Sequence, residues 1–152
     1  MSNSIYKSGV TDQSLSLDDI APGLTLGHER YENGNVYVLA KSTGALADGV
    51  ACQVKTASGE VVATPATGAI APTTLLGFNN SGVVTAANTY LWLLRRGNGY
   101  AASNGNIADG QLCRSSAGGL ISATAGTVSG GDVICTAKAA RTGAGVFNVY
   151  VP

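Results

Sequence analysis

Charge is scarce in this 152-residue chain: acidic and basic residues make up 12% of it, about half of the roughly 25% usual in soluble domains, and nine of each sign cancel. Without clustered Lys and Arg there is no electrostatic footprint for nucleic acid, whose binding rests on neutralised phosphates. Cysteine is limited to Cys52, Cys113 and Cys135, with no Cys-x-x-Cys, and His28 is the single histidine. That inventory argues against a disulfide framework and against a zinc site. No apolar run reaches the roughly 18 residues that would span a bilayer. The start, Met1-Ser2-Asn3-Ser4, lacks the basic and apolar regions of a signal peptide. The chain therefore reads as soluble, made in the cytoplasm, and without a membrane or nucleic-acid partner.

Small residues are abundant instead. Gly contributes 21 positions, Ala 22, Thr 14 and Ser 13, so the unfolded backbone has much entropy to lose and folding gains from partner chains. Residues 1–34 carry five acids and two bases, a charge of −3, against +3 for the remainder. Short alternations such as Leu15-Ser16-Leu17 and Leu24-Thr25-Leu26 flank the turn signal Ala21-Pro22-Gly23. This reads as an extended N-terminal arm, 1–34, whose anchors Ile5, Tyr6, Val10, Leu15, Leu17, Ile20, Leu24 and Leu26 are too sparse to offset ordering on their own.

From residue 35 to 152 the chain is a series of short Val-, Ile-, Leu-, Thr- and Tyr-rich runs separated by Gly, Asn, Asp and Ser, the punctuation of an all-β body. Strands are expected near 35–41, 49–56, 60–64, 73–79, 82–87, 89–96, 98–103, 111–115, 119–123, 132–138 and 145–151. The fold expected is a single β-barrel or β-sandwich domain, jelly-roll-like or β-tulip-like. Ser58-Gly59, Asn80-Ser81-Gly82 and Asn98-Gly99 read as tight turns. Val50, Cys52 and Val54 alternate with Ala51, Gln53 and Lys55, which predicts a strand buried on one face. The C-terminal strand has apolar groups on both faces, which places it centrally or at a subunit contact.

An internal echo accompanies the strands. Ala47-Asp48-Gly49-Val50-Ala51-Cys52 returns 61 residues later as Ala108-Asp109-Gly110-Gln111-Leu112-Cys113, each followed by a Gly-containing hairpin signal. Two copies are too few for a solenoid. The echo is read as recurring hairpin grammar within one barrel, with true duplication left open.

Candidate chemistry is poor. His28 lies in the arm beside Glu29 and Arg30 rather than on a rigid scaffold, and Asp48, Asp109 and Asp132 sit beside Gly in turn signals, where carboxylates accept backbone hydrogen bonds. The Gly-rich piece 126–131 is not followed by Gly-Lys-Ser/Thr, so it is not a phosphate loop. No catalytic residue, cofactor or metal site is expected. In Tyr90-Leu91-Trp92-Leu93-Leu94-Arg95-Arg96-Gly97, Trp92 and Leu94 face one way while Leu91, Leu93 and Arg95 face the other. The stretch reads as a central barrel strand, with Trp92, Arg95, Arg96 and Tyr150 as candidates for a subunit interface.

An arm, then Val36-Tyr37-Val38-Leu39-Ala40-Lys41-Ser42-Thr43-Gly44-Ala45-Leu46-Ala47-Asp48-Gly49, the Tyr90–Gly97 run, Ile107-Ala108-Asp109-Gly110-Gln111 and a closing Gly-rich hairpin follow one another in order. In that style and order the body resembles the capsid decoration, or cement, proteins of tailed bacteriophages. The resemblance implies a structural virion protein on the capsid exterior, commonly a homotrimer, that binds the major capsid protein and reinforces the shell. A second expectation is a host-surface or carbohydrate-binding head-fibre or knob module, using Tyr31, Tyr37, Tyr90, Tyr100, Tyr150 or Trp92 as a sugar platform.

Overall fold

The computed structural model describes residues 25–57, 60–82, 84–123 and 133–152. Its strands are β1 (Glu29–Glu32), β2 (Asn35–Ser42), β3 (Ala51–Ala57), β4 (Glu60–Pro65), β5 (Leu75–Phe78), β6 (Tyr90–Ser103), β7 (Leu112–Ser115), β8 (Ile121–Ala123), β9 (Cys135–Ala137) and β10 (Gly145–Val151). The described helical content is one 3₁₀ turn, Ala117–Gly119. The all-β class expected from the punctuation is what the chain adopts. No helix among the described residues is long and apolar enough to cross a membrane.

Strands β2, β4, β3, β5 and the first half of β6 pair in that order, and β6 pairs back onto β2, closing a five-stranded barrel. The second half of β6 starts the same circuit again: β6, β8, β7, β9 and β10, with β10 returning to β6. The register repeats pair by pair. Val38↔Leu93, Leu39↔Trp92 and Ala40↔Leu91 correspond to Gly99↔Val149, Tyr100↔Asn148 and Ala101↔Phe147. Likewise Cys52↔Pro65, Val54↔Ala63 and Cys52↔Gly77 correspond to Cys113↔Ala123, Ser115↔Ile121 and Cys113↔Cys135. Even the isolated bridge Leu46↔Thr85 has its counterpart, Ile107↔Arg141. The sequence echo is thus one end of a structural repeat in which β6 belongs to both units.

The two interiors correspond as well. Ala40, Leu46, Cys52, Ala63, Leu76, Leu91 and Leu93 fill the first barrel, and Ala101, Ile107, Cys113, Ile121, Ile134, Phe147 and Val149 fill the second. The second cluster also takes in Ala51, Ala66, Ile70, Leu75, Phe78 and Leu94 from outside the first barrel. The barrels therefore share one continuous hydrophobic contact, and the outer row Ala51, Phe78 and Leu94 of the first is as buried as its interior.

That contact overrides several local expectations. Ala51 and Cys52 are both fully buried while Val54 is exposed, so the strand expected to bury one face buries both at its start; Ala51 packs toward the second barrel and Cys52 inward. Asn98-Gly99 is no turn, for β6 runs through it without reversal. Gly97 has φ of +110°, a conformation open to glycine, and a Cβ at Gly99 would collide with Leu94 Cδ2 and Asn80 Oδ1. These glycines mark a close crossing rather than a hairpin. No strand forms at 84–87; the chain there meets Leu46 through the single bridge at Thr85. Residues 29–32, assigned by composition to the arm, form β1 and pair with β2 across a turn in which Asn33 and Gly34 have positive φ.

Candidate interaction surfaces

Where β6 passes from one barrel to the next it leaves β2 while pairing with β10, and on its other edge two asparagine side chains serve its backbone. Asn35 Nδ2 donates to the Asn98 carbonyl at 3.0 Å and its Oδ1 accepts from the Asn98 N–H at 2.9 Å. Asn80 does the same for Tyr100, donating to the carbonyl at 2.9 Å and accepting from the N–H at 3.0 Å. Each amide presents the donor and acceptor of a missing strand residue, so the crossing keeps its backbone hydrogen bonds satisfied on that edge. Asp48 completes the junction. Its Oδ1 accepts from Tyr100 Oη at 2.6 Å and from the Gly82 N–H at 3.1 Å. Burial, then the Asp48 carboxylate, pushes the Tyr100 phenol well above its usual range. The sequence assigned Asp48 a turn role, which it has; its clasp on Tyr100, 52 residues away, carries no local signal.

Backbone contacts finish the seam. The Gly119 N–H donates to Ala66 O at 2.9 Å, the Ala102 N–H to Gly49 O at 2.8 Å, and Ser115 Oγ to Gly68 O at 2.6 Å. A side chain at Gly119 would strike Ala51 O, so the 117–119 turn approaches the first barrel as closely as glycine permits.

The proposed interface residues separate. Trp92 is fully buried, paired with Leu39 in register and met edge-on by His28 at 6.4 Å between ring centroids. It serves the fold of its own chain rather than an exposed contact. Gly27 donates to Leu39 O and Leu39 donates to His28 O, so residues 26–28 run beside this pair, with Leu26 half-buried. Arg95 is held internally: its Nε lies 3.1 Å from Glu29 Oε1 and its Nη1 donates to Leu75 O at 2.9 Å. Arg96 and Tyr150 are exposed. Ile5, Tyr6, Val10, Leu15, Leu17, Ile20 and Leu24 lie outside the described residues. Leu91 and Leu93 point into the first barrel and Leu94 away from it, as the alternation predicts.

Among the described residues no three His, Cys, Asp or Glu are placed to hold a metal ion. The three cysteines are buried free thiols. Burial pushes Cys52 up to about 12. Cys113 and Cys135 face each other across β7 and β9, and their mutual hydrogen bond lowers the first and raises the second. A shallow cleft of about 370 Å³ lies between the barrels, with Arg95, Arg96, Leu75, Ile134 and Pro152 in its lining.

One outer face remains. Leu112, Thr136, Tyr150 and Asn98 form a cross-strand row over β7, β9, β10 and β6, with Leu112 42% and Tyr150 43% exposed. No family model matches this chain, and no curated protein matches it in sequence. A solved structure does match in fold: the N base of the head fibre gp8.5 of bacteriophage phi29, with a TM-score of 0.59 at 8% identity, covering 78% of this chain and 94% of that one. The likeness is one of architecture and extends over nearly all of that base.

Proposed function

We propose that this chain is a structural virion protein that attaches, as a trimer, to the outer surface of an assembled phage capsid and reinforces it. The observation that carries this reading is the fold shared with a phage head-fibre base over 94% of that base. The composition supports it: a weakly charged, Ser/Thr/Gly/Ala-rich surface can be covered by neighbours with little cost from desolvating charges. In this reading the major capsid protein is the partner, and residues 1–24 supply apolar anchors whose affinity the trimer multiplies by raising effective concentration. No reacting group takes part.

The same likeness favours a second reading, a head-fibre module that also meets the host surface. Its sugar platform has less to stand on. Trp92 is buried and Tyr37, Tyr90 and Tyr100 are half-buried, which leaves Tyr31 and Tyr150 as the exposed candidates among the described residues. Co-sedimentation with purified heads that lack the protein tests the first reading: the full chain is expected to pellet with them, and chain lacking residues 2–24 to stay in the supernatant. A full chain that remains soluble at saturating heads overturns it. Tyr31- and Tyr150-dependent signal on a glycan array supports the second.

A further inference from the structure

We infer that the far face of the second barrel binds a second copy of this chain, which sets its own first barrel there. The inference rests on the trimer reading above and names the surface that forms it. The row Leu112–Thr136–Tyr150–Asn98 is the registered counterpart of Ala51–Phe78–Leu94–Tyr37 in the first barrel. The first-barrel row is the one the second barrel covers: Ala51 and Phe78 are 0% exposed and Leu94 1%. On the second barrel the same positions hold Leu112 and Tyr150, both more than 40% exposed. A sheet face that the fold buries once is thus displayed again, with two large apolar side chains on it.

The complementary surface is also on display. The second barrel seats itself through Ser115 at the end of β7 and the 117–119 turn that follows. In the first barrel Val54 stands where Ser115 does, in the hairpin of β3 and β4, and Val54 is 41% exposed. The receiving row thus lies on the second barrel and the exposed Val54 on the first. Two different patches meeting head to tail make a heterologous contact, which closes into a ring when its rotation divides a full turn and otherwise runs on as a filament. The internal clasp has no counterpart between copies. Leu39, the counterpart of Tyr100, is fully buried beside residues 26–28, so nothing repeats the Tyr100–Asp48 clasp. The inter-copy contact is the weaker one and is assembled after the chain has folded.

Light scattering and native mass measurement on the full chain over a concentration series test this. Leu112→Lys with Tyr150→Lys, and separately Val54→Lys, are each expected to raise the concentration at half-assembly tenfold or more, with unchanged circular dichroism. A photo-reactive residue placed at 112 is expected to cross-link to residues 35–96 of another copy. Cross-links confined to residues 97–152 overturn the head-to-tail arrangement, and so does assembly indifferent to all three lysines. A chain that stays monomeric at every concentration overturns the interface as well. Head co-sedimentation by the same variants separates the two failures: monomers that still pellet leave capsid attachment standing, and wild-type chain that does not pellet removes the parent reading.

Discussion

The two barrels are built from one plan, yet they bear different loads. In the first, the outer row Ala51, Phe78, Leu94 is buried against its neighbour; in the second, the same row, Leu112, Thr136, Tyr150, reaches the surface. Phe78 faces Thr136 across the repeat, an aromatic core residue matched by a half-buried polar one. The difference teaches that strand pairing and interior filling belong to the repeat, while outer-face character is set by what each copy must touch.

The sharpest way to break the comparison is to truncate equivalent positions. Phe78→Ala is expected to cost about 4 kcal/mol, the usual loss for a fully buried Phe, and Thr136→Ala under about 1 kcal/mol, both by denaturant unfolding. Equal losses would mean that the seam contributes nothing particular. Next come the paired turn glycines. Gly49 and Gly110 both have positive φ, but a Cβ on Gly49 would sit 2.8 Å from the Ala102 amide nitrogen, while one on Gly110 meets nothing within 4 Å. Gly110→Ala should lose about 1 kcal/mol from backbone strain, and Gly49→Ala about 3 kcal/mol because overpacking is added.

Smaller effects sharpen the picture. Tyr100→Phe removes the Asp48 hydrogen bond and should cost about 1 kcal/mol, whereas Asp109→Asn, at the exposed counterpart of Asp48, should be silent. Alkaline titration follows the same division. Cys52 and Tyr100 are both raised on folding, so the folded chain holds protons that the unfolded chain releases. Their contribution is complete below pH 9 and declines as pH climbs from there toward 12, first through Cys52 and then through Tyr100. Thermal melts across pH 7–11 should show that fall, and Tyr100→Phe should flatten its upper part.

How much of this could be read from residues alone follows from which forces are local. The all-β class and the strand at 145–151 came from short β-rich runs between turn residues, and the opposite facing of Leu93 and Leu94 from period-2 patterning, both properties of a few consecutive residues. The 61-residue echo at Asp48-Gly49 and Asp109-Gly110 was visible, but its meaning was not. The copies keep register through pairs such as Ser42↔Ala63 and Ser103↔Ile121, which share only small or apolar character. Residues 29–32 fall to the arm on composition, although Asn33-Gly34, which turns β1 into β2, is itself a local hairpin dipeptide. Asn98-Gly99 misled because glycine serves a close approach as readily as a reversal, and only the packed neighbours Leu94 and Asn80 tell the two apart. The seam itself, with Asn35, Asn80 and Asp48 reaching across 20 to 63 residues, has no local trace.

The 14-residue β6 is a wall of each barrel and the only covalent link between them. At roughly 3.3 Å per residue it spans about 46 Å. A pull on one barrel travels down that single backbone and is shared by hydrogen-bonded neighbours along both halves, sheared together rather than peeled one at a time. Such a molecule resists stretching along β6 far better than bending across it, a mechanical anisotropy that force spectroscopy along the two directions would read directly.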